Sequence, residues 1–155
     1  MKQWAIGLAL DNSIGCSVEE AFPLLQKYGF DTTFTMVEDH HTLSRYAELA
    51  QKHGVAFSSL HAPFHRAAAM WTNTPKGDRA EQTLHDSIDA CEIVKAPTLV
   101  IHPFIGFYEH TPTEIGLARY RRLAEHATQK AVPFGVRKRR GRGGAALSDG
   151  RPAWV

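Results

Sequence analysis

Two short apolar runs each end in a histidine beside a proline: Val55-Ala56-Phe57-Ser58-Ser59-Leu60-His61-Ala62-Pro63, and Thr98-Leu99-Val100-Ile101-His102-Pro103. Neutral imidazole ligates zinc, manganese and similar borderline ions, and it is the usual proton carrier near neutral pH. A histidine at the carboxyl end of a buried strand, with proline closing the strand, stands where α/β proteins keep their chemistry. The bland reading of either one alone is a hydrogen-bonded strand terminus. Two of them at equivalent points of a repeating pattern form a candidate pair. If their strands are parallel neighbours, the rings of His61 and His102 lie within about 10 Å of each other, as ligands that each reach ~2.1 Å to one ion require. A catalytic metal site takes about three protein ligands, so two imidazoles imply weak metal binding by this chain, or none. Apart from His65, the remaining histidines, His40, His41, His53, His85, His110 and His126, read as surface or helix-end residues.

The elements that position this pair follow from apolar periodicity. Trp4 to Leu10 is apolar and extended, and Ser17-Val18-Glu19-Glu20 is a capping box that opens a helix to about Tyr28, closed by Gly29. Phe30 to Val37 reads as a second strand; Leu43, Tyr46, Ala47 and Ala50 then share one face of a helix that ends at Gly54. Ala56 to Leu60 is the third strand. A long loop from His61 to Gly77 precedes a helix from about Asp78, along which Leu84, Ile88 and Cys91 are spaced. Loops of that length in compact domains are more often functional than idle. Leu99 to His102 is the fourth strand, and Thr111-Pro112-Thr113-Glu114 predicts a capping box with proline at the first helical position, opening a helix to about Lys130. Ala131 to Phe134 begins a fifth strand.

Strands alternating with helices imply a parallel sheet joined by right-handed crossovers. Open doubly wound sheets and closed (β/α) barrels share that pattern. No Gly-x-Gly-x-x-Gly follows the first strand and no Gly-x-x-x-x-Gly-Lys-Ser/Thr occurs, so a dinucleotide or P-loop site is unsupported and the barrel gains. The chain has 155 residues, 43% hydrophobic and 22% charged, the composition of one ordinary domain. Its two cysteines, Cys16 and Cys91, form no Cys-x-x-Cys pair; both read as small packed hydrophobes, and a reducing cytoplasm is the expected location. No run approaches the ~20 apolar residues of a membrane span, and no signal core is present, so no membrane association is expected.

The net charge of +2 is unevenly placed. After Phe134 stand six Arg and Lys residues against Asp149 alone, which leaves residues 1 to 134 with twelve basic and fifteen acidic side chains, a net of −3. A basic, Gly-rich end is the usual look of a nucleic-acid-binding arm.

Leu60-His61-Ala62-Pro63-Phe64, Trp71 in the following loop, and Ala96-Pro97-Thr98-Leu99-Val100-Ile101-His102-Pro103 resemble the xylose isomerase-like TIM barrels, as do Tyr46-Ala47-Glu48-Leu49-Ala50 and Leu123-Ala124-Glu125-His126-Ala127 on the helices. That group contains sugar phosphate isomerases and epimerases and, more distantly, endonuclease IV-type apurinic endonucleases. The resemblance covers residues 1 to 134 and implies the N-terminal half of such a barrel. The expected fold is therefore α/β, a partial (β/α)8 barrel of about four βα units plus the start of a fifth strand, with a disordered basic tail over residues 135 to 155. In this family the fifth strand continues into Glu-Asn, whose glutamate binds a divalent metal. Here the chain reads Gly135-Val136-Arg137-Lys138-Arg139-Arg140 instead. One codon choice for Val-Arg-Lys-Arg-Arg, GTT-CGA-AAA-CGT-CGA, read one base later with the first G of the Gly141 codon gives Phe-Glu-Asn-Val-Glu, so the tail is read as a frameshifted, unstructured segment whose basic run says little about nucleic acid.

The resemblance implies a divalent metal, Mn, Zn, Mg or Co, acting on a sugar or sugar phosphate, with the paired glutamates that move the proton missing from this chain. His61 and His102 match metal ligands of the endonuclease-like branch. Phe64, His65 and Trp71 are expected to form an apolar wall against a sugar face, and Glu38, at the end of the second strand, to accept a hydrogen bond from a substrate hydroxyl or else to cap the following helix. Arg66, Lys76 and Arg79 could attract a phosphate, although isolated surface cations are usually solvated. No catalytic residue is assigned. The expected function is a sugar isomerase or epimerase-like protein inactive by itself, with exposed strand edges inviting a second copy. The alternatives are an apurinic endonuclease-like metal hydrolase, which needs a basic face that a −3 body does not offer, and a non-enzymatic half-barrel remnant.

Overall fold

A computed structural model describes residues 5–104, 111–132 and 134–136. The strands are β1 (Gly7–Ala9), β2 (Thr32–Met36), β3 (Ala56–His61), β4 (Leu99–Ile101) and β5 (Phe134–Val136), and they alternate with α1 (Val18–Lys27), α2 (His40–His53), α3 (Pro75–Val94) and α4 (Glu114–Gln129). All five strands are parallel and lie in chain order, β1-β2-β3-β4-β5. A doubly wound sheet reverses its order at a switch point. This sheet never does, and successive helices pack side by side, α1 on α2, α2 on α3 and α3 on α4. The result is an arc of a (β/α) barrel, with its helices on one face.

Local chemistry explains most of the element ends. The Ser17 hydroxyl accepts from the Glu20 backbone N–H while the Glu20 carboxylate accepts from the Ser17 N–H, the reciprocal box expected, and Gly29 takes a positive φ of 75° just after α1. Gly54 ends α2 at φ 66°. β1 and β2 are shorter than the periodicity predicts, and three other starts differ for local reasons. α3 begins at Pro75 rather than near Asp78, because Thr74 supplies the cap and Pro75 suits the first turn. α4 is capped by Thr113, so Pro112 precedes the helix; Thr113 is favoured because its hydroxyl both accepts from the Gly116 N–H and donates to the Trp71 carbonyl. β5 starts at Phe134 rather than Ala131, since Ala131 is taken up by a left-handed turn at φ 53°. The strand thus includes Gly135 and Val136, two residues assigned from sequence to the tail. The basic residues beyond Val136, with the frameshift reading, lie outside the described residues, as do Trp4 and His110.

The two faces of the sheet differ. On the helix-covered face Thr33, Phe57, Leu60, Leu99 and Ile101 are buried, joined by Phe22, Leu25, Leu43, Ile88 and Leu123 from the helices. Thr33 and Thr35 are polar residues on this dry face, and their hydroxyls donate to the carbonyls of Leu8 and Leu10 at 2.8 and 3.0 Å. On the opposite face Phe34, Met36, Ser59, His61 and Val100 are half-buried. The pairing of β2 with β3 is interrupted by a bulge: Thr33 pairs with Phe57 and Phe34 with Ser59, leaving Ser58 extra, its hydroxyl donating to the Thr33 carbonyl at 3.1 Å. Among the described residues no helix is long and apolar enough to cross a membrane.

Candidate functional site at the carboxyl end of the sheet

β3 and β4 pair directly, Leu60 with Leu99 and His61 with Val100, so both strands deliver a histidine to the same end of the sheet. His61 is the last residue of β3 and His102 follows β4 immediately. Their ring centroids are 6.1 Å apart, inside the bound expected of two ligands to one ion. Apolar rings hold the pair on either side. Phe34, from β2, stacks on His61 at 5.4 Å and 26°; Phe64, in the loop after β3, meets His102 edge to face at 5.8 Å. Rings locked in this way present their nitrogens with little freedom to reorient, which lowers the ordering cost of engaging an ion or a hydroxyl.

The other residues singled out by sequence are dispersed. Glu38 is exposed just beyond β2, and it does not cap α2: Asp39 does, its carboxylate accepting from the Thr42 N–H at 3.0 Å. The Thr42 hydroxyl, which donates to the same carboxylate at 2.6 Å, and then the Thr42 N–H hold the Asp39 carboxyl below its usual range. Phe64 faces His102, whereas His65 is exposed and lines, with His102, a small pocket bordered by Met70 and Tyr120. Trp71 packs into the fold. Its ring stacks on Phe104 at 4.7 Å, tilts against Tyr120 at 5.2 Å, and fills the space over Gly116, where a Cβ would come within 2.1 Å of Trp71 Cε3. The indole N–H donates to the Pro103 carbonyl at 2.8 Å, tying the loop after β3 to the residue beside His102. Arg66 and Arg79 are exposed, and so is Lys76.

Two contributors were not singled out. Phe34 follows from strict alternation along β2, where it shares a face with Thr32 and Met36 rather than with Thr33 and Thr35. Arg119, only 2% exposed, pins the loop from the other side: its guanidinium donates to the carbonyls of Met70 and Thr72 at 3.0 and 2.7 Å and pairs with Asp78 and Glu81. Gly77 leaves room for it, since a Cβ there would lie 2.4 Å from Arg119 Nη1. Glu81 also takes a bidentate grip from Arg122 at 2.7 and 2.9 Å, and that hydrogen bond holds its carboxyl below the usual range.

As a metal centre the site is partial. Among the described residues no group of three or more His, Cys, Asp and Glu side chains is placed to hold an ion. His61 and His102 fit as two donors of a larger set and fall short of a whole one.

No family model matches the chain, and no curated protein matches it. Solved structures do. The chain is similar to 3-keto-D-glucoside 4-epimerase from E. coli in its apo form (TM-score 0.69, 12% identity, 86% of this chain and 56% of that one). It is similar to a sugar phosphate isomerase/epimerase from Parabacteroides distasonis (0.63, 12%, 85% and 50%) and to an AP endonuclease of family 2 from Brucella melitensis (0.63, 15%, 86% and 55%). It spans about half the length of each. The chain therefore has the fold of a partial (β/α)8 barrel, about half of the architecture found in sugar isomerases and epimerases and in an AP endonuclease.

Proposed function

We propose that this chain is the N-terminal half of a sugar isomerase or epimerase-type barrel, built over residues 1 to 134, which contributes the imidazoles of His61 and His102 to a divalent-metal site facing a sugar or sugar phosphate. The observation that carries this reading is the pair of rings 6.1 Å apart at the carboxyl ends of adjacent parallel strands, on the sheet face that the helices leave open. Active sites of (β/α) barrels lie at that end. When bound, a divalent ion such as Zn, Mn, Mg or Co supplies Lewis-acid polarisation of a carbonyl and its neighbouring hydroxyl. The chain's own residues do the rest of what it can do. His61 and His102 offer lone pairs, Phe34 and Phe64 offer apolar surface to a sugar ring, and Glu38 and His65, both exposed, are the groups proposed to exchange hydrogen bonds with substrate hydroxyls. Trp71 ties the loop after β3 to Pro103, beside His102.

Among the described residues no carboxylate joins the two histidines in a metal-holding group, and the proton-moving glutamates that the resemblance implies are expected from strands beyond these five. The chain by itself is then a binding half without activity. The apurinic endonuclease reading shares the histidine pair and is disfavoured by the net −3 of residues 1 to 134. A cytoplasmic location suits the two free cysteines.

Calorimetric titration with zinc, manganese and cobalt, on the chain and on His61→Ala and His102→Ala, tests this reading. Weak binding lost in both variants, with no turnover of a panel of ketoses and their phosphates, is expected. Binding that survives both substitutions overturns the site, and cleavage of abasic DNA by the chain would replace the sugar assignment with the hydrolase.

A further inference from the structure

The two histidines are held differently. His61 lies inside the ladder, paired with Met36 on one side and Val100 on the other, and its carbonyl accepts from the Val37 N–H at 2.9 Å. His102 stands one residue beyond β4, whose last pairing is Ile101 with Val136. Phe64 meets its ring edge to face, but that phenylalanine is itself 45% exposed. A donor outside the ladder needs a second anchor, because backbone that the ladder leaves free must otherwise be ordered at the moment a ligand engages it. Trp71 supplies one. It ends a short 3-10 turn, Ala67–Trp71, and contacts from separate parts of the chain converge on it. Its indole N–H donates to the Pro103 carbonyl at 2.8 Å, its ring lies flat on Phe104 at 4.7 Å and 8°, and its own carbonyl accepts from the Thr113 hydroxyl, the cap of α4, at 2.7 Å. Pro103 and Phe104 are the two residues that follow His102. Tyr120, at 5.2 Å, and the bare backbone of Gly116 back the same ring from α4.

We infer that Trp71 is a positioning residue for His102: it clamps the backbone just after the histidine against α4 and so sets the separation of the two imidazoles. Pro103 transmits the hold. Its ring fixes φ near about −65° and biases the residue before it toward extended backbone, so few free torsions lie between the clamped carbonyl and the His102 Cα. One donor is thus placed by the sheet and the other by a helix, and the pair is complete only while α4 is docked on the loop after β3. The inference deepens the proposed use of His102 as a metal donor and rests on that reading for its purpose, although the clamp itself exists without a metal.

The test replaces Trp71 by its benzothienyl analogue, in which sulfur stands where the indole has N–H; the ring keeps its shape and loses only the bond to Pro103. In NMR spectra of the metal-free full chain, the NOEs from the His102 ring to Phe64 and His61 should weaken, while those between His61 and Phe34 persist. Zinc affinity, measured where both chains are folded, should fall roughly fivefold, the worth of one net hydrogen bond. Thr113→Val probes the α4 end and should weaken the same His102 NOEs, whereas Thr113→Ser, which keeps the hydroxyl, restores them. Unchanged His102 NOEs in the analogue overturn the inference, and so does a loss that includes His61 and Phe34, which marks general loosening. Thr113→Val with His102 unmoved overturns the coupling to α4. Zinc titration separates this from the larger reading. Weakened His102 contacts in a chain that binds no zinc keep the clamp and remove its purpose, whereas zinc bound through His61 and His102 with equal affinity by parent and analogue keeps the site and overturns the clamp.

Discussion

The two faces of this sheet are made by the same strands and have opposite fates. On the helix side, Leu60 and Leu99 are fully buried, while on the other side their immediate neighbours His61 and Val100 are only half-covered. Parallel sheets are ordinarily covered on both faces. Here stability is concentrated on one face and chemistry on the other, so a residue's importance to folding and its importance to the site are separable along a single strand. The helix side also holds the polar ties. Arg119 and Glu81 lock α3, α4 and the loop after β3 into one corner, and the open face carries the ring cluster that this corner supports from below.

The largest effect should come from the corner. Arg119→Met removes a buried guanidinium and strands the carbonyls of Met70 and Thr72; with one partner of a buried ionic network lost, a cost of about 3–5 kcal/mol is expected in urea unfolding. Asp78 adds little to this figure, because its side chain is 73% exposed. A loss below 1 kcal/mol (~0.05–0.15 kcal/mol per residue is typical of whole domains) would show that the corner is not a keystone of the covered face.

Next comes the direct comparison of adjacent residues. Leu99→Ala should cost about 2–5 kcal/mol and Val100→Ala under about 1 kcal/mol, although the two side chains are similar in kind. Equal costs, measured by the same denaturant titration, would mean that the open face is covered in solution. Gly116→Ala is the next smaller perturbation: it forces a methyl into the Trp71 ring, and overpacking of this sort costs about 1–3 kcal/mol, partly offset by the helix preference for alanine. A shift in tryptophan fluorescence should accompany it, and unchanged emission with unchanged stability would contradict the packing described.

The smallest expected effect concerns pH. The Arg122 hydrogen bond holds Glu81 below its usual 4.5, so the folded state favours the ionised carboxylate. That contribution is present above about pH 4.5 and disappears as pH falls through the lowered folded value. Glu81→Gln should therefore flatten the acid limb of the stability profile while leaving residual stability at the lowest pH close to that of the parent. An unaltered slope would assign the acid sensitivity to other carboxylates.

Much of this was legible in the chain. Caps and glycines marked α1 and α2, because Ser17, Glu20, Gly29 and Gly54 act within one turn of themselves. The histidine pair was legible because strand ends repeat. What stayed hidden depends on contacts far apart in sequence. Thr113 became the cap of α4 through a bond to Trp71, forty-two residues away, and Arg119 reaches Met70 across forty-nine. Trp71 read as a substrate wall from its place in a long loop, whereas its ring is occupied by Phe104, Tyr120 and the bare backbone of Gly116. Phe34 was hidden for another reason. On β2 the usual polarity is inverted, with threonines on the dry side bonded to β1 carbonyls and phenylalanine on the open side.

The extra residue in β3 has a consequence for how such a site can arise or vanish. Along an unbroken strand Phe57 and His61 have the same parity, and both would point toward the helices. Because Ser58 is unmatched on β2, parity changes once between them, and His61 emerges beside Phe34 while Leu60 takes the dry side. The side on which this imidazole stands is thus set by a count, and no side-chain exchange within β3 can alter it. Deleting Ser58 would close the bulge and leave Leu60 on the dry side and His61 beside Phe34, whereas pairing Ser58 in the ladder would turn the histidine to the apolar interior, so the donor survives loss of the extra residue and is lost if that residue is drawn into register.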